Sequence, residues 1–284
     1  MAFTGNKEFQ EAELAGQTWT SSFRKVSALA TTRGLWFDGS MSSGNPKPNY
    51  YATAEKESAV LSQNNGIWHG GNVSPLRKYL HKILIASLAA GVTPATFIFC
   101  DFLLYYPLID MDDTSSQDLT TTVTLPRYTS GDGVRMYLVA TNPYIGGQTF
   151  FVTYTNSEGI ANRVTKAILT NTGTNIGTIV NAGTTGAAAV SWFIPLQHGD
   201  KGVQSVQNIE FQGPNGGLAT LVLVKPLGNI TTREITAFTE RDFFLDNANN
   251  PAHIEDGAYI NYICQPNGSA LSVPVIGDLS VVWV

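Results

Sequence analysis

Apolar and polar positions alternate through much of the chain beyond residue 95. In Val203–Phe211 one face collects Val203, Ser205, Gln207, Ile209 and Phe211, and the other Gln204, Val206, Asn208 and Glu210. In Thr149–Thr155 the faces are Phe150, Val152, Tyr154 and Phe151, Thr153, Thr155. Side chains that repeat every second residue mark a β-strand. Val134–Thr141, Leu218–Val224, Ala258–Cys264, the threonine-rich Leu119–Leu125 and Val190–Leu196 read the same way. Phe97–Pro107 is apolar almost throughout and reads as a buried strand bent near Asp101. Leu279, Val281 and Trp283 alternate to the last residue, which predicts a sheet-bound C-terminus. The link Asn142–Gly147 holds Pro143 and a Gly pair, and is short enough to return Val134–Thr141 onto Thr149–Thr155 as a hairpin.

One stretch follows a helical period instead. Leu76, Leu80, Ile83, Leu84 and Leu88 fall on one helical face, with Arg77, Lys78, His81 and Lys82 largely opposite. Ser74 suits a cap, Pro75 a first position and Gly91 a stop, so the pattern predicts a helix to about Ala90. Before it, Trp19, Phe23, Leu35, Trp36 and Phe37 are scattered among Ser, Thr and Gly, and Phe9–Ala15 allows a short helix. These patterns divide the chain into an N-terminal arm or wrapping segment (1–73), a helix and connector (74–95) and a β body (96–284). The predicted fold is mainly β: a jelly-roll-like β-sandwich with an extended N-terminal arm and one short helix.

Composition narrows the role. The chain has 284 residues, enough for a substantial core, and 43 % of them are hydrophobic. Only 14 % are charged, which leaves little charge to hold copies apart and suits a surface covered by neighbours in an assembly. The net charge is -5, with residues 101–284 carrying eight Lys/Arg against sixteen Asp/Glu. An acidic body of this kind argues against direct contact with a nucleic-acid backbone. The apolar run Ile83–Ala90 is too short for a membrane span. Cys100 and Cys264, the two cysteines, sit in apolar runs and are expected to be free and buried rather than bridged.

Candidate chemistry is sparse. The chain has no Gly-x-Ser-x-Gly, no phosphate loop and no His-Glu-x-x-His, so no catalytic residue, cofactor or enzyme activity is expected. Asp110, Asp112, Asp113 and Asp118 form the one dense set of hard oxygen ligands, a weak calcium candidate without the glycine and terminal glutamate of an EF-hand. Glu210, Asp242 and Glu255 are carboxylates of the kind that cleave polysaccharide, but nothing in the sequence pairs them. Tyr105, Tyr106, Tyr144 and Trp192 are aromatic residues of the kind that stack on sugars. The interface candidates are Trp19, Phe23, Trp36, Phe37, Pro143 and Tyr144.

Four stretches carry a resemblance. Tyr106–Asp112, Thr122–Tyr128, Ala140–Tyr144 and Val152–Gly159 resemble segments of tailed-bacteriophage virion proteins, over about residues 97–165. The resemblance implies a particle component located in the virion: an oligomeric capsid decoration (cement) protein, or a tail or fibre subunit. Its partners would be other copies of itself, with a trimer favoured by symmetry, and a major capsid protein or another virion protein. The alternatives are a carbohydrate-binding or host-recognition module, and a β-sandwich enzyme acting on polysaccharide.

Overall fold

The computed structural model describes residues 5–90, 92–173, 175–181, 191–246 and 251–284. It is mainly β, in a jelly-roll-like sandwich arrangement with few short helices. In chain order the helix α1 (Asn6–Leu14) is followed by β1 (Thr18–Val26), β2 (Phe37–Asp38), β3 (Ser43–Asn45), β4 (Ala59–Val60) and β5 (Lys78–Ser87). Then come β6 (Ala95–Asp110), β7 (Gln117–Asp118), β8 (Arg135–Ala140), β9 (Thr149–Asn156), β10 (Arg163–Val164), β11 (Ile168–Leu169) and β12 (Val203–Phe211). The chain ends with β13 (Leu218–Thr232), β14 (Thr239–Asp242), the single-turn α2 (Phe243–Asp246), β15 (His253–Ile254), β16 (Ile260–Pro266) and β17 (Pro274–Trp283).

Two long strands set the architecture. β6 and β13 pair antiparallel along almost their whole length, from Leu218 opposite Asp110 to Thr232 opposite Ala95. They form the middle of a central sheet ordered β2-β16-β6-β13-β8. One face of that sheet serves two further sheets. Leu103, Tyr106, Ile109, Leu221 and Leu223 pack with β9 and β12 in one core. Phe97, Phe99, Leu227 and Ile230 pack with β1, β5 and β17 in a second core. On β6, Asp101 lies between Phe99 of one core and Leu103 of the other, so a polar position separates two apolar ones.

The opposite face is enclosed by the central sheet itself. Residues 177–180 lie between its outer strands: Ile179 N donates to Trp36 O (2.8 Å) and Asp38 N to Gly177 O (2.9 Å), while Ala140 N donates to Thr178 O (2.9 Å) and Val180 N to Leu138 O (2.7 Å). The sheet thereby curls back on itself around a third core of Trp36, Met41, Tyr51, Phe102, Tyr137, Val139, Ile179 and Tyr259. Pairing both outer strands leaves fewer exposed backbone groups for unwanted strand addition.

Several sequence expectations need correction. Ser74–Ala90 is not a helix; Lys78–Ser87 is β5, held between β17 and β14. Ile83 and Ile85 are β-branched and keep a strand's period of two, and a register shift opposite Ser280 and Val281 brings Leu80 into the same core, so two waiting strand edges override the helical spacing. The expected stop at Gly91 lies outside the described residues. Val134–Thr141 and Thr149–Thr155 are strands but not a hairpin. β8 pairs with β13 and β9 with β12, so the link carries the chain across a core from one sheet to the other. Leu119–Leu125 makes one bridge, at Thr120, and residues 191–196 form no strand.

Residues 18–67 are woven into the body rather than standing off it. β1 pairs with β17 over nine residues, and Phe23, Trp36, Phe37, Met41, Tyr51 and Leu61 are buried in the cores. Burial of such side chains against the body is the strongest use of their apolar area, at about 1.5–3 kcal/mol each. Cys100 and Cys264 are free and buried, as read from the sequence, and belong to different cores on opposite faces of the central sheet.

Candidate functional site

Asp110, Asp112, Asp113, Pro143 and Tyr144, among the predicted site residues, lie on segments that meet at one end of the long strands. There the segment after β6, the link after β8 and the turn before β13 meet around Asn215, which is fully buried. Its backbone N donates to Met111 O (3.0 Å), and its carbonyl accepts from Ile145 N (2.8 Å). Its side-chain Oδ1 accepts from Gly146 N (2.8 Å). Met111 N donates to Gly217 O (3.1 Å), which ties the first segment to the third. Gly217 has φ +75°, and a Cβ there would lie 2.3 Å from Pro143 O, so only glycine allows this approach.

On that frame Pro143 is exposed and Ile145 projects with 68 % of its surface in solvent. Tyr144 points the other way. It is buried, and its hydroxyl donates to Asn171 Oδ1. The carboxylates of Asp110 and Asp112 lie at the same tip. Asp110 Oδ1 accepts from Asp112 N (2.9 Å), and Asp112 Oδ1 from Gly216 N (3.1 Å). Asp113 Oδ1 accepts from Ser115 N (2.8 Å) and Oγ (2.7 Å), which holds its carboxyl below the usual range. Asp118 is separate, on β7. Among the described residues, no three of His, Cys, Asp and Glu come together to hold a metal. The tip is thus a rigid surface with an apolar point and an acidic flank. Sequence reading found Pro143 and the aspartates but missed Asn215, an ordinary turn residue until its three partners are seen.

The other candidates scatter. Phe23, Trp36 and Phe37 are buried within the chain, whereas Trp19 keeps 45 % of its surface exposed. Tyr105 and Tyr106 are buried, and Trp192 is exposed. Glu210 lies on β12 and accepts from Gln212 Nε2 (2.8 Å), Asp242 lies beside His81 (3.5 Å), and Glu255 beside His253 (3.3 Å), so the three carboxylates belong to separate contacts.

Buried ionisable groups form internal joints. Asp38 is fully buried in the third core and accepts from Tyr137 Oη (2.8 Å), Tyr51 Oη and Ser40 N (2.8 Å). Burial pushes its carboxyl up against those hydrogen bonds. Lys25 donates to Pro46 O (2.8 Å), and burial pulls its ammonium down to about 8 despite the attraction of Asp38. Lys78 donates to Gly71 O (2.8 Å) and Asp256 Oδ1 (3.3 Å), and stands 3.2 Å from His69 Nδ1. Asp200 accepts from Tyr154 Oη (2.5 Å), Asn156 Nδ2 (2.8 Å) and Arg163 Nε (3.0 Å). Each of these groups ties one segment to another, as hydrogen-bonded buried charges commonly do.

The fold and the tip define a class: a β protein whose named strands pair antiparallel and whose loops are hydrogen-bonded to one another at one end of the long strands. No protein-family model matches the chain, and no curated protein matches it. Among solved structures it aligns with the VP2 subviral particle of infectious bursal disease virus at 8 % identity, over 94 % of this chain and 80 % of that one, with a TM-score of 0.18. The structure of the Gt strain of the same virus aligns over 94 % and 81 %, also at 8 % identity and a TM-score of 0.18. A likeness at this level carries no argument about the chain's role. Among the described residues no helix is long and apolar enough to cross a membrane.

Proposed function

We propose that this chain is a structural component of a virus particle, and specifically an oligomeric decoration protein on a bacteriophage shell. One observation carries the reading. Ile145 and Pro143 are held out to solvent on one loop that is tied to two others through Asn215. A mobile apolar residue would lose entropy on docking, whereas a pre-ordered one loses little. Burying Ile145 against a neighbour would contribute roughly 1.5–3 kcal/mol per contact, repeated at every copy. The low charge of 14 % fits such crowding. Trp19, the other exposed candidate, offers a second contact. A trimer seated on a major capsid protein is the arrangement we favour.

The test is the position and copy number of the chain in intact particles, together with Ile145→Asp. Hundreds of copies on the shell, and loss of incorporation of a folded Ile145→Asp protein, support the reading. A few copies at the tail tip, or incorporation unchanged by the substitution, overturn it.

A further inference from the structure

A cleft of about 360 Å³ opens beside the far half of β13, away from the tip. It falls within the size range of ligand pockets. Trp192, Phe193, Gly228, Asn229 and Arg241 are among the residues that line it. Trp192 has 41 % of its surface exposed, and its ring lies against the buried Trp36 at 5.0 Å. Its backbone is fixed as well. The buried Asn181 donates from Nδ2 to Trp192 O (3.2 Å) and Ser191 O (3.1 Å), and Ile194 N donates to Met136 O (2.8 Å). A large ring is therefore held rigidly with one side in water, where burying it against the body would have been favourable.

The lining also carries a positioned cation. Arg241 Nη1 donates to Asn229 O (2.7 Å) and to Asn229 Oδ1, and Nε donates to Asp246 Oδ2 (3.0 Å). Its guanidinium lies 5.1 Å from the Phe243 ring. Nη2 makes no hydrogen bond among the described residues. Gly228 keeps the floor low, since a Cβ there would stand 2.3 Å from the Phe243 ring.

We propose that this cleft binds a sugar carrying a carboxylate. The C–H face of a pyranose fits a fixed indole, and a carboxylate fits the remaining N–H groups of a planar guanidinium. The single cation, already paired on one side with Asp246, suits one carboxylate better than a chain of phosphates, and the net charge of -5 opposes a polyanion. The proposal goes beyond the decoration reading and does not depend on it. The two fail separately, because one concerns particle position and the other a solution affinity.

The test uses the full chain in saturation-transfer NMR with N-acetylneuraminic acid and glucuronic acid, glucose as the neutral control and a short oligothymidylate as the nucleic-acid control. The expected result is saturable binding of at least one acidic sugar, with the two sugars distinguishing a sialic from a uronic acid. Arg241→Gln should weaken that binding by about tenfold or more, as expected for loss of a charge-assisted hydrogen bond, while leaving glucose unchanged. Trp192→Ala should weaken it similarly, and Trp192→Phe should restore part. Thermal melts of the variants establish that each is folded. Binding of neither acidic sugar, equal binding by a folded Trp192→Ala protein, or a preference for the oligothymidylate overturns the proposal.

Discussion

Arg127 donates to both carboxylate oxygens of Asp101, each at 2.7 Å, at the point where β6 exchanges one neighbour for another. Up to Asp101 the neighbour is β16, and at Leu104 and Tyr105 it is β4. The guanidinium fills the fork. It also donates to Phe102 O (3.0 Å) and Leu61 O (3.3 Å), while Asp101 Oδ1 accepts from Tyr259 N (2.9 Å). Burial pushes the Asp101 carboxyl up to about 6 against the opposing pull of Arg127. The pair satisfies backbone groups that neither strand reaches.

Removing Arg127 alone leaves a buried carboxylate and two carbonyls without their donor. Arg127→Met is expected to destabilise the fold by about 3–5 kcal/mol in denaturant titration. The double variant Asp101→Asn, Arg127→Met should recover part of that loss, because no buried charge then remains. A double variant as unstable as the sum of the two singles would show that the pair is not coupled.

Deletion of residues 1–49 is expected to abolish folding rather than release a folded body. β17 would lose its nine-residue pairing with β1, and Phe23, Trp36, Phe37 and Met41 would vanish from the cores. Circular dichroism and a thermal melt decide this. A cooperative melt of the truncated chain would restore the picture of a detachable arm.

His69 sets a pH dependence. It is fully buried, with Nε2 3.0 Å from Ala258 O and Nδ1 facing the Lys78 ammonium, so the neutral ring with a proton on Nε2 satisfies both neighbours. Burial, and then Lys78, pull its pKa down to about 4 from 6.5. The unfolded chain then binds more protons between those values. The contribution of His69 is complete above pH 6.5 and is lost as pH falls through 4, by about 3 kcal/mol. Asp101 works in the opposite sense, since its raised carboxyl favours the folded state below about pH 6. Comparing the stability of His69→Gln with that of the unaltered chain across pH 4 to 7 isolates the histidine; parallel profiles would remove it as the cause.

Asn215→Ala withdraws an acceptor from Gly146 N inside the tip. A loss of about 1–3 kcal/mol is expected, as for other unsatisfied buried groups, together with faster amide exchange at Gly146. Unchanged exchange there would show that the tip holds without its hub.

Cys100 and Cys264 should resist thiol reagents until the chain unfolds. Both are buried, and burial pushes both thiols well above their ordinary range. Labelling rates that follow denaturant concentration would agree; rapid labelling of the native protein would not.

The sequence by itself determined the β class. Alternation in Thr149–Thr155 corresponds to β9, because a strand with two unlike surroundings must alternate. Val203–Phe211 is β12, but its expected faces need correction: two register shifts bring Val206 into the core with Val203, Ile209 and Phe211 and leave Ser205 and Gln207 out of it. The sequence also marked Phe97–Pro107 as buried and the C-terminus as sheet-bound, since runs so apolar, or so regular, have no other stable place. Only the tertiary structure decided which strand meets which. Leu80, Ile83 and Leu84 keep a helical spacing, and pairing with β14 and β17 overrode it for β5, with a register shift that brings Leu80 into the core of Ile83 and Ile85. The return between β8 and β9 is short enough for a hairpin, yet each strand gains more by facing the other across a core than by pairing with it. The tip was legible as Pro143 and a run of aspartates. Its organiser, Asn215, was not, because a turn asparagine has no periodic signature and its partners lie about 70 and 104 residues away. Arg127 was equally silent: its partners exist only where distant strands converge.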